Sequence, residues 1–140
     1  QRVIRASVDI DGETVAAIGP GLLVFLGIER TDSSIVAEQL LSKVLAYRVF
    51  ADESGKMNRS LLDIHGELLI VSQFTLVAET GKGLRPSFSG GASPEIGEQL
   101  YEAFVVAAKA ALGSVQAGVF GADMQVSLLN DGPVTFLLER

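Results

Sequence analysis

The chain is 140 residues long, carries a net charge of −6 and contains no Cys. That length suits one domain, 1–140, built on a single core. The missing Cys excludes a disulfide framework, a thiolate nucleophile and a Cys-ligated zinc, and the acidic balance argues against binding along a phosphate track, DNA included.

Val3–Ile10 is rich in β-branched residues and reads as a first strand, and Asp11-Gly12 signals a hairpin returning through Thr14–Ile18. Gly19-Pro20-Gly21 breaks the chain before Leu22–Ile28, a continuous apolar run typical of a buried strand. Thr31-Asp32-Ser33 offers helix caps. Ile35, Val36, Leu40, Leu41, Val44 and Leu45 then recur at helical spacing. Tyr47–Phe50 predicts a strand, Asp52–Gly55 a polar turn, and Glu67–Val77 the longest strand of the chain.

Gly81 to Gly91 reads as a loop. Ser93-Pro94-Glu95 predicts a helix start, with a buried face of Ile96, Leu100, Phe104, Ala107, Ala108 and Ala111 and a stop at Gly113. Met124–Leu129 and Val134–Leu138 predict closing strands around Asn130-Asp131-Gly132-Pro133. This order predicts a sheet-rich α/β domain with two main helices packed on one side. No run of eighteen apolar residues and no secretory leader pattern occurs, so the chain reads as soluble and cytoplasmic, without a membrane partner. Gln1 stands inside a strand-like pattern, which predicts a few native residues before it.

Standard catalytic sets are missing. The one histidine, His65, falls in a turn-like Asp63-Ile64-His65-Gly66, and no Gly-x-Ser-x-Gly elbow is present. Asp9-Ile10-Asp11-Gly12 lacks the later ligands of a calcium loop, and Gly81-Lys82-Gly83 lacks the spacing of a phosphate-binding loop. No metal cluster or cofactor motif is evident, and none is expected to be required.

Two segments break local rules. Ser72-Gln73-Phe74-Thr75 places polar side chains in an otherwise apolar strand; a half-exposed strand and a functional site both fit. In a regular strand Gln73 and Thr75 would face one way, Ser72 and Phe74 the other. Asn130-Asp131-Gly132-Pro133 reads on turn chemistry as a tight turn, with a cis Gly-Pro bond as the alternative.

These segments belong to a longer series: Gln1-Arg2-Val3, Arg5-Ala6-Ser7-Val8, Gly55-Lys56-Met57-Asn58, Ser72-Gln73-Phe74-Thr75-Leu76, Arg85-Pro86-Ser87-Phe88, Phe120-Gly121-Ala122-Asp123-Met124 and Asn130-Asp131-Gly132-Pro133-Val134-Thr135. In that order and spacing the chain resembles the D-aminoacyl-tRNA deacylase (D-tyrosyl-tRNA deacylase) family almost end to end. The resemblance implies a sheet-rich fold of β/β/α layers, barrel-like, and a homodimer with its pocket at the subunit interface. It implies that the substrate is the acceptor end of D-aminoacyl-tRNA, in the service of chiral proofreading in translation.

By the same resemblance Ser72, Gln73, Phe74 and Thr75 form the catalytic segment. Gly132 and Pro133 form a cis pair that reaches into the partner's pocket and screens chirality. Arg2, Phe120, Ala122, Met124 and Asn130 join the substrate-binding set, Arg2 by helping to hold the Gly-Pro motif. Leu84, Val119 and Ala117 depart from the family pattern, where basic residues or Thr are common, while both signatures are intact.

The expected chemistry is hydrolysis of an already labile ester. Backbone N–H groups from Gln73–Thr75 would stabilise the oxyanion. Thr75 could attack directly, but with no His to activate it water assisted by the ribose 2′-hydroxyl is favoured. A sieve made by Gly132-Pro133 beside the substrate Cα would reject L side chains and admit glycyl-tRNA. Lys56, Arg59, Lys82 and Arg85 are candidate phosphate contacts, each equally readable as a solvated loop charge. The rivals are a non-catalytic RNA-end-binding dimer, a small-molecule esterase and a deacylase of L-alanyl-tRNA.

Overall fold

The computed structural model describes residues 1–140. Its elements are β1 (Arg2–Ile10), β2 (Glu13–Ile18), β3 (Gly21–Leu26), α1 (Ser34–Ala46), β4 (Phe50–Ala51), β5 (Met57–Arg59), α2 (Leu61–Ile64), β6 (Glu67–Ser72), a 3₁₀ turn (Phe74–Val77), α3 (Pro94–Ala111), β7 (Val115–Ala117) and β8 (Gln125–Asn130).

β1 organises the sheet. Val3–Asp9 pair antiparallel with β8 on one edge; on the other, Ala6–Ile10 pair with β2, and Arg2 and Val3 pair with β3. The hairpin from β1 to β2 turns at Asp11 and Gly12, both at positive φ (50° and 81°), the geometry that lets two residues reverse a twisted ribbon. Beyond β3 the sheet continues in parallel through β6 to β7. Parallel neighbours need crossovers. The chain between β3 and β6 contains α1, and the chain between β6 and β7 contains α3.

The apolar run of β6 is continuous because both of its faces are covered. Leu68 and Ile70 pack with residues of α1 and α3, including Leu41, Leu45, Phe104 and Ala108. Leu69 and Val71 point to the opposite side, into a second cluster with Val3, Ala6, Val8, Ala16, Ile18 and Leu23. This alternation gives a curled, barrel-like sheet with its own filling and two main helices on one outer side, as the sequence predicts.

Several predicted boundaries are corrected. The strand expected over Glu67–Val77 ends at Ser72, because Gln73 leaves the strand conformation (φ −140°, ψ 82°) and the next residues wind into the 3₁₀ turn. Val134–Leu138 forms no strand. The Arg2 N–H donates to the Val134 carbonyl at 3.1 Å, but the segment carries no other ladder bond, and the Asn130 side chain takes both the N–H and the carbonyl of Val134. Tyr47–Phe50 shrinks to the pair Phe50–Ala51 against β5. The unexpected α2 is held by a reciprocal cap, with the Asp63 N–H on Ser60 Oγ and the Ser60 N–H on the Asp63 carboxylate.

The predicted helix starts hold at Ser33 and Ser93, whose hydroxyls accept from Val36 and Ile96 N–H. On α3 the buried face is turned by about one residue from expectation. Gly97, Tyr101, Phe104, Val105 and Ala108 are inside, whereas Ile96 is 44% exposed. On α1, Ile35 likewise lies outside the buried stripe at 65% exposure.

Candidate active site

The parallel pair β3 and β6 ends in register at Leu26 and Ser72. The carboxyl ends of parallel strands are where backbone diverges and ligands gain access. The Gln73 N–H donates to the Leu26 carbonyl at 2.9 Å, tying the turn to the end of β3. The expectation that Gln73–Thr75 all offer free N–H groups is therefore corrected at Gln73.

Phe74 and Thr75 differ. As the first residues of the 3₁₀ turn they have no intrahelical acceptor; the turn's own bonds begin with the Leu76 N–H on the Gln73 carbonyl. No side chain caps them. Thr75 is exposed, and its hydroxyl accepts from the Gln73 side-chain amide. With that lone pair engaged, the hydroxyl proton is free to point outward. The strict alternation expected of Ser72 to Thr75 does not hold, because only Ser72 is in the strand.

Phe74 is 64% exposed and its ring packs against Phe88, with centroids 5.0 Å apart. Phe88 follows a hairpin closed by Glu79 and Ser87, whose N–H groups donate to each other's carbonyls at 2.7 and 3.0 Å. Lys82 and Arg85 stand exposed in it, and the Arg30 guanidinium donates to the Ser89 carbonyl beside it. Lys56 and Arg59 lie elsewhere, on the β4–β5 unit, where Arg59 donates to the Asp63 carbonyl at 3.0 Å. The four candidate cations thus fall into two groups.

The second signature is a braced loop. Asn130 Nδ2 donates to the carbonyls of Arg2 (3.2 Å) and Val134 (3.0 Å), and its Oδ1 accepts the Val134 N–H at 3.0 Å. Arg2 donates through Nη1 to the Val49 carbonyl at 2.7 Å and through Nε to the Asp131 carbonyl at 3.1 Å. Between these braces Gly132 and Pro133 are exposed, the peptide bond joining them is cis, and Gly132 has φ +130°.

No hydrogen bond joins Gly132 or Pro133 to Ser72–Thr75 within the chain. A cavity of about 720 Å³ lies between the two segments' neighbours. Its wall includes Leu76, which follows Thr75, and Val134, which follows Pro133, together with Arg2, Leu26, Gly27 and Phe136. The stretch Gly118–Met124 links β7 to β8: Phe120 and Met124 are half-buried, Phe120 beside Tyr101 on α3 and Met124 over Gly118, and Ala122 is half-buried between them in sequence.

His65 ends α2 in a left-handed turn (φ 51°), at the opposite end of β6 from Thr75. Six residues of strand put them roughly 20 Å apart, beyond any proton transfer. No three His, Cys, Asp or Glu side chains converge as a metal site would require. No helix is long and apolar enough to cross a membrane.

Sequence reasoning missed Asp131, the Val49 carbonyl, Tyr101 and the Phe88 ring as parts of this region. Asp131 and Phe88 lie inside quoted motifs, but nothing in their spacing marks their partners. Tyr101 sits at helical spacing from Phe104 and Ala108, and choosing the face one residue away hid it.

Comparison with known proteins supplies the family. The sequence profile described as D-Tyr-tRNA(Tyr) deacylase matches residues 1–139. Proteins named D-aminoacyl-tRNA deacylase from Shewanella loihica and Actinobacillus succinogenes are 59% and 56% identical over 139 residues, covering 99% of this chain and 96% of each relative. A solved structure titled c-Myc DNA Unwinding Element Binding Protein superposes with a TM-score of 0.95 at 43% identity, covering 100% of this chain and 95% of its own. A second, titled as a structural analysis of a probable eukaryotic D-amino acid tRNA deacylase, shares the fold at a TM-score of 0.82 and 17% identity, covering 94% of this chain and 92% of its own.

Proposed function

The chain belongs to the D-Tyr-tRNA(Tyr) deacylase family, and from that premise we propose that it frees tRNA by hydrolysing the ester of D-aminoacyl-tRNA at the end of β6. The observation that carries the site assignment is the pair of unengaged N–H groups of Phe74 and Thr75, on a turn fixed by the Gln73 bond to Leu26.

A tetrahedral oxyanion forms when the ester carbonyl is attacked, and two fixed N–H donors stabilise it without rearranging. Thr75 positions the ester through its outward hydroxyl and does not attack it. Its hydroxyl has no base to activate it, because the only imidazole is at the far end of the strand. Water, assisted by the ribose 2′-hydroxyl, is the nucleophile in this reading. Ser72 borders the turn. Phe120, Ala122 and Met124, which stand on the 118–124 turn and not in the wall of the cavity beside Leu76 and Val134, receive the terminal adenosine, and Lys56, Arg59, Lys82 and Arg85 meet phosphates near the acceptor end.

Chirality is set by the loop that Arg2 and Asn130 brace. Gly132 and Pro133 are exposed and share no hydrogen bond with Ser72–Thr75 of their own chain, which supports their use in the pocket of a second subunit. Backbone placed beside the substrate Cα leaves room for hydrogen and none for an L side chain. Rejection by clash exceeds the roughly 1–3 kcal/mol that a methylene contact can supply. Glycine passes such a sieve, so glycyl-tRNA mischarged on a non-cognate tRNA is a second substrate. The net charge of −6 suits an acceptor end held by a pocket and a few cations better than duplex DNA.

The test is deacylation of matched D-tyrosyl-, L-tyrosyl- and glycyl-tRNA with a chelator present. The expected result is loss of the D and glycyl esters with the L ester spared. Binding of all three without turnover would make this a non-catalytic RNA-end-binding protein.

A further inference from the structure

Tyr101, on α3, has no part in the chemistry above, yet its environment is unusual. The residue is 3% exposed, and its hydroxyl lies 2.7 Å from the Gly118 carbonyl and 3.1 Å from that of Ile70. Burial, and then the charge of Glu102, pushes the phenol up to about 12, so at neutral pH it is a donor. One proton is shared between two carbonyls. Ile70 stands two residues before Ser72 in β6, and Gly118 immediately follows β7. The Gly118 N–H also donates to the Ile70 carbonyl, at 2.8 Å. The phenol therefore joins β6 to the chain where β7 ends and turns toward Phe120 and Met124.

The same face of α3 shapes that turn. The rings of Tyr101 and Phe120 are 5.9 Å apart and inclined at 42°. One helical turn earlier is Gly97, where an added Cβ would stand 3.3 Å from Phe120 Cζ. Across the turn, a Cβ on Gly118 would stand 2.7 Å from Met124 Sδ and 3.8 Å from Val71 Cγ2. Packing is thus close where Phe120 meets Gly97 and where Met124 meets Gly118, and at the Tyr101 hydroxyl it is joined by directed hydrogen bonds.

We propose that Tyr101 is a positioning residue for the substrate pocket: by tying β6 to the start of the 118–124 turn, it sets the place of Phe120 and Met124 relative to Ser72–Thr75. This rests on the reading that the 118–124 turn helps receive the terminal adenosine. Tyr101 acts on binding and leaves the chemical step alone, because the Phe74–Thr75 turn is fixed separately through Gln73 and Leu26.

The test compares wild type with Tyr101→Phe, and with Gly97→Ala, which presses on Phe120 from the same face of α3 one turn earlier while adding a good helix former. With D-tyrosyl-tRNA, Tyr101→Phe is expected to raise KM about fivefold, the scale of one ordinary hydrogen bond, and Gly97→Ala to raise it as well, with the saturating single-turnover rate of both held within about twofold. In the protein without tRNA, ¹³C-methyl NMR of methionine reads the geometry directly, since Met57 and Met124 are the only two methionines. The Met124 resonance is expected to move in both variants while Met57, assigned through Met57→Leu, stays. An unmoved Met124 resonance in both overturns the positioning role whatever the activity. A moved resonance with unchanged KM, or with a fall confined to the saturating rate, overturns the link to the pocket. Absence of wild-type turnover would instead sink the functional reading and leave the NMR comparison to judge the geometry.

Discussion

Arg2 and Asp131, 129 positions apart in the chain, are joined at both ends. Arg2 Nε donates to the Asp131 carbonyl at 3.1 Å and stands 3.3 Å from its carboxylate, while the Asp131 N–H donates back to the Arg2 carbonyl at 2.8 Å. The guanidinium also reaches the Val49 carbonyl at 2.7 Å, so one planar group fixes the Asn130–Thr135 loop to the chain just after α1. A lysine has a single nitrogen and cannot span both carbonyls. Arg2→Lys is expected to lower unfolding free energy by about 1–3 kcal/mol, the cost of leaving a part-buried acceptor unpaired. Urea denaturation measures this. The same variant should discriminate less between D- and L-tyrosyl-tRNA, and unchanged selectivity would show that the brace serves stability alone.

Gly132 is the least replaceable residue of that loop. At φ +130° an L side chain is strained, and an added Cβ would stand 2.7 Å from Val134 Cγ2 and 3.1 Å from Arg2 Nη2. Gly132→Ala is expected to cost roughly 1–3 kcal/mol in stability and to displace the Arg2 guanidinium. Its functional signature is a rise in L-tyrosyl-tRNA hydrolysis relative to the D ester, or loss of both where the pocket collapses. Wild-type rates on both esters would refute the sieve.

Thr75→Ala separates the two nucleophile assignments. If Thr75 only positions the ester, the variant should retain most of its single-turnover rate on D-tyrosyl-tRNA, because the Phe74 and Thr75 N–H groups remain. Quenching wild type during turnover and analysing it by mass spectrometry should show no acyl-threonine. A trapped acyl-Thr75 would overturn the water mechanism.

Much of the fold was legible because its signals are local. Ser33 and Ser93 announce their helices, and Asp11-Gly12 its hairpin, through the conformation of one or two residues. The 3₁₀ turn was hidden because Phe74–Val77 is as apolar and branched as a strand, and only the Gln73 bond to Leu26 ends the ladder at Ser72. Val134–Leu138 misled for the complementary reason: its pattern is that of a strand, but the Asn130 side chain takes both backbone groups of Val134 and a single bond from Arg2 joins the segment to β1. At the site the motifs could be found, and the resemblance placed Arg2 on the Gly-Pro motif, but the contacts of that brace could not be read. The links from Arg2 to Val49 and Asp131 join distant parts of the chain, and Tyr101 is marked only by a helical face that shifts with one residue of phase.

The hairpin cations can be tested apart from the chemistry. Lys82 and Arg85 are exposed in the Glu79–Ser87 hairpin and lie apart from Lys56 and Arg59. If both meet phosphates of the single-stranded end, Lys82→Ala with Arg85→Ala should flatten the dependence of log K on log salt by about 1.4, at roughly 0.7 per phosphate. The affinity loss should be the same for D-tyrosyl- and glycyl-tRNA, since phosphate contacts carry no side-chain information. An unaltered salt slope would make them solvated loop charges.

Acid stability has a defined source in the turn between β4 and β5. The Asp52 carboxylate accepts from Asn58 Nδ2 at 2.8 Å, Lys56 N–H at 3.0 Å, and Ser54 N–H and Oγ at 2.9 and 2.8 Å. These donors, Asn58 foremost and then the Lys56 N–H, hold its pKa down from 3.8 to about 2. Because the folded value is the lower one, ionised Asp52 favours the native state above pH 4, and that contribution fades as pH falls from about 4 toward 2. Asp52→Ala should therefore be less stable than wild type by a constant amount near neutrality, with the gap narrowing across that acid window. Thermal unfolding of the two proteins at half-unit pH steps measures it. A gap that stays constant down to pH 2 would mean that Asp52 acts only through the shape of the turn, and its charge contributes nothing.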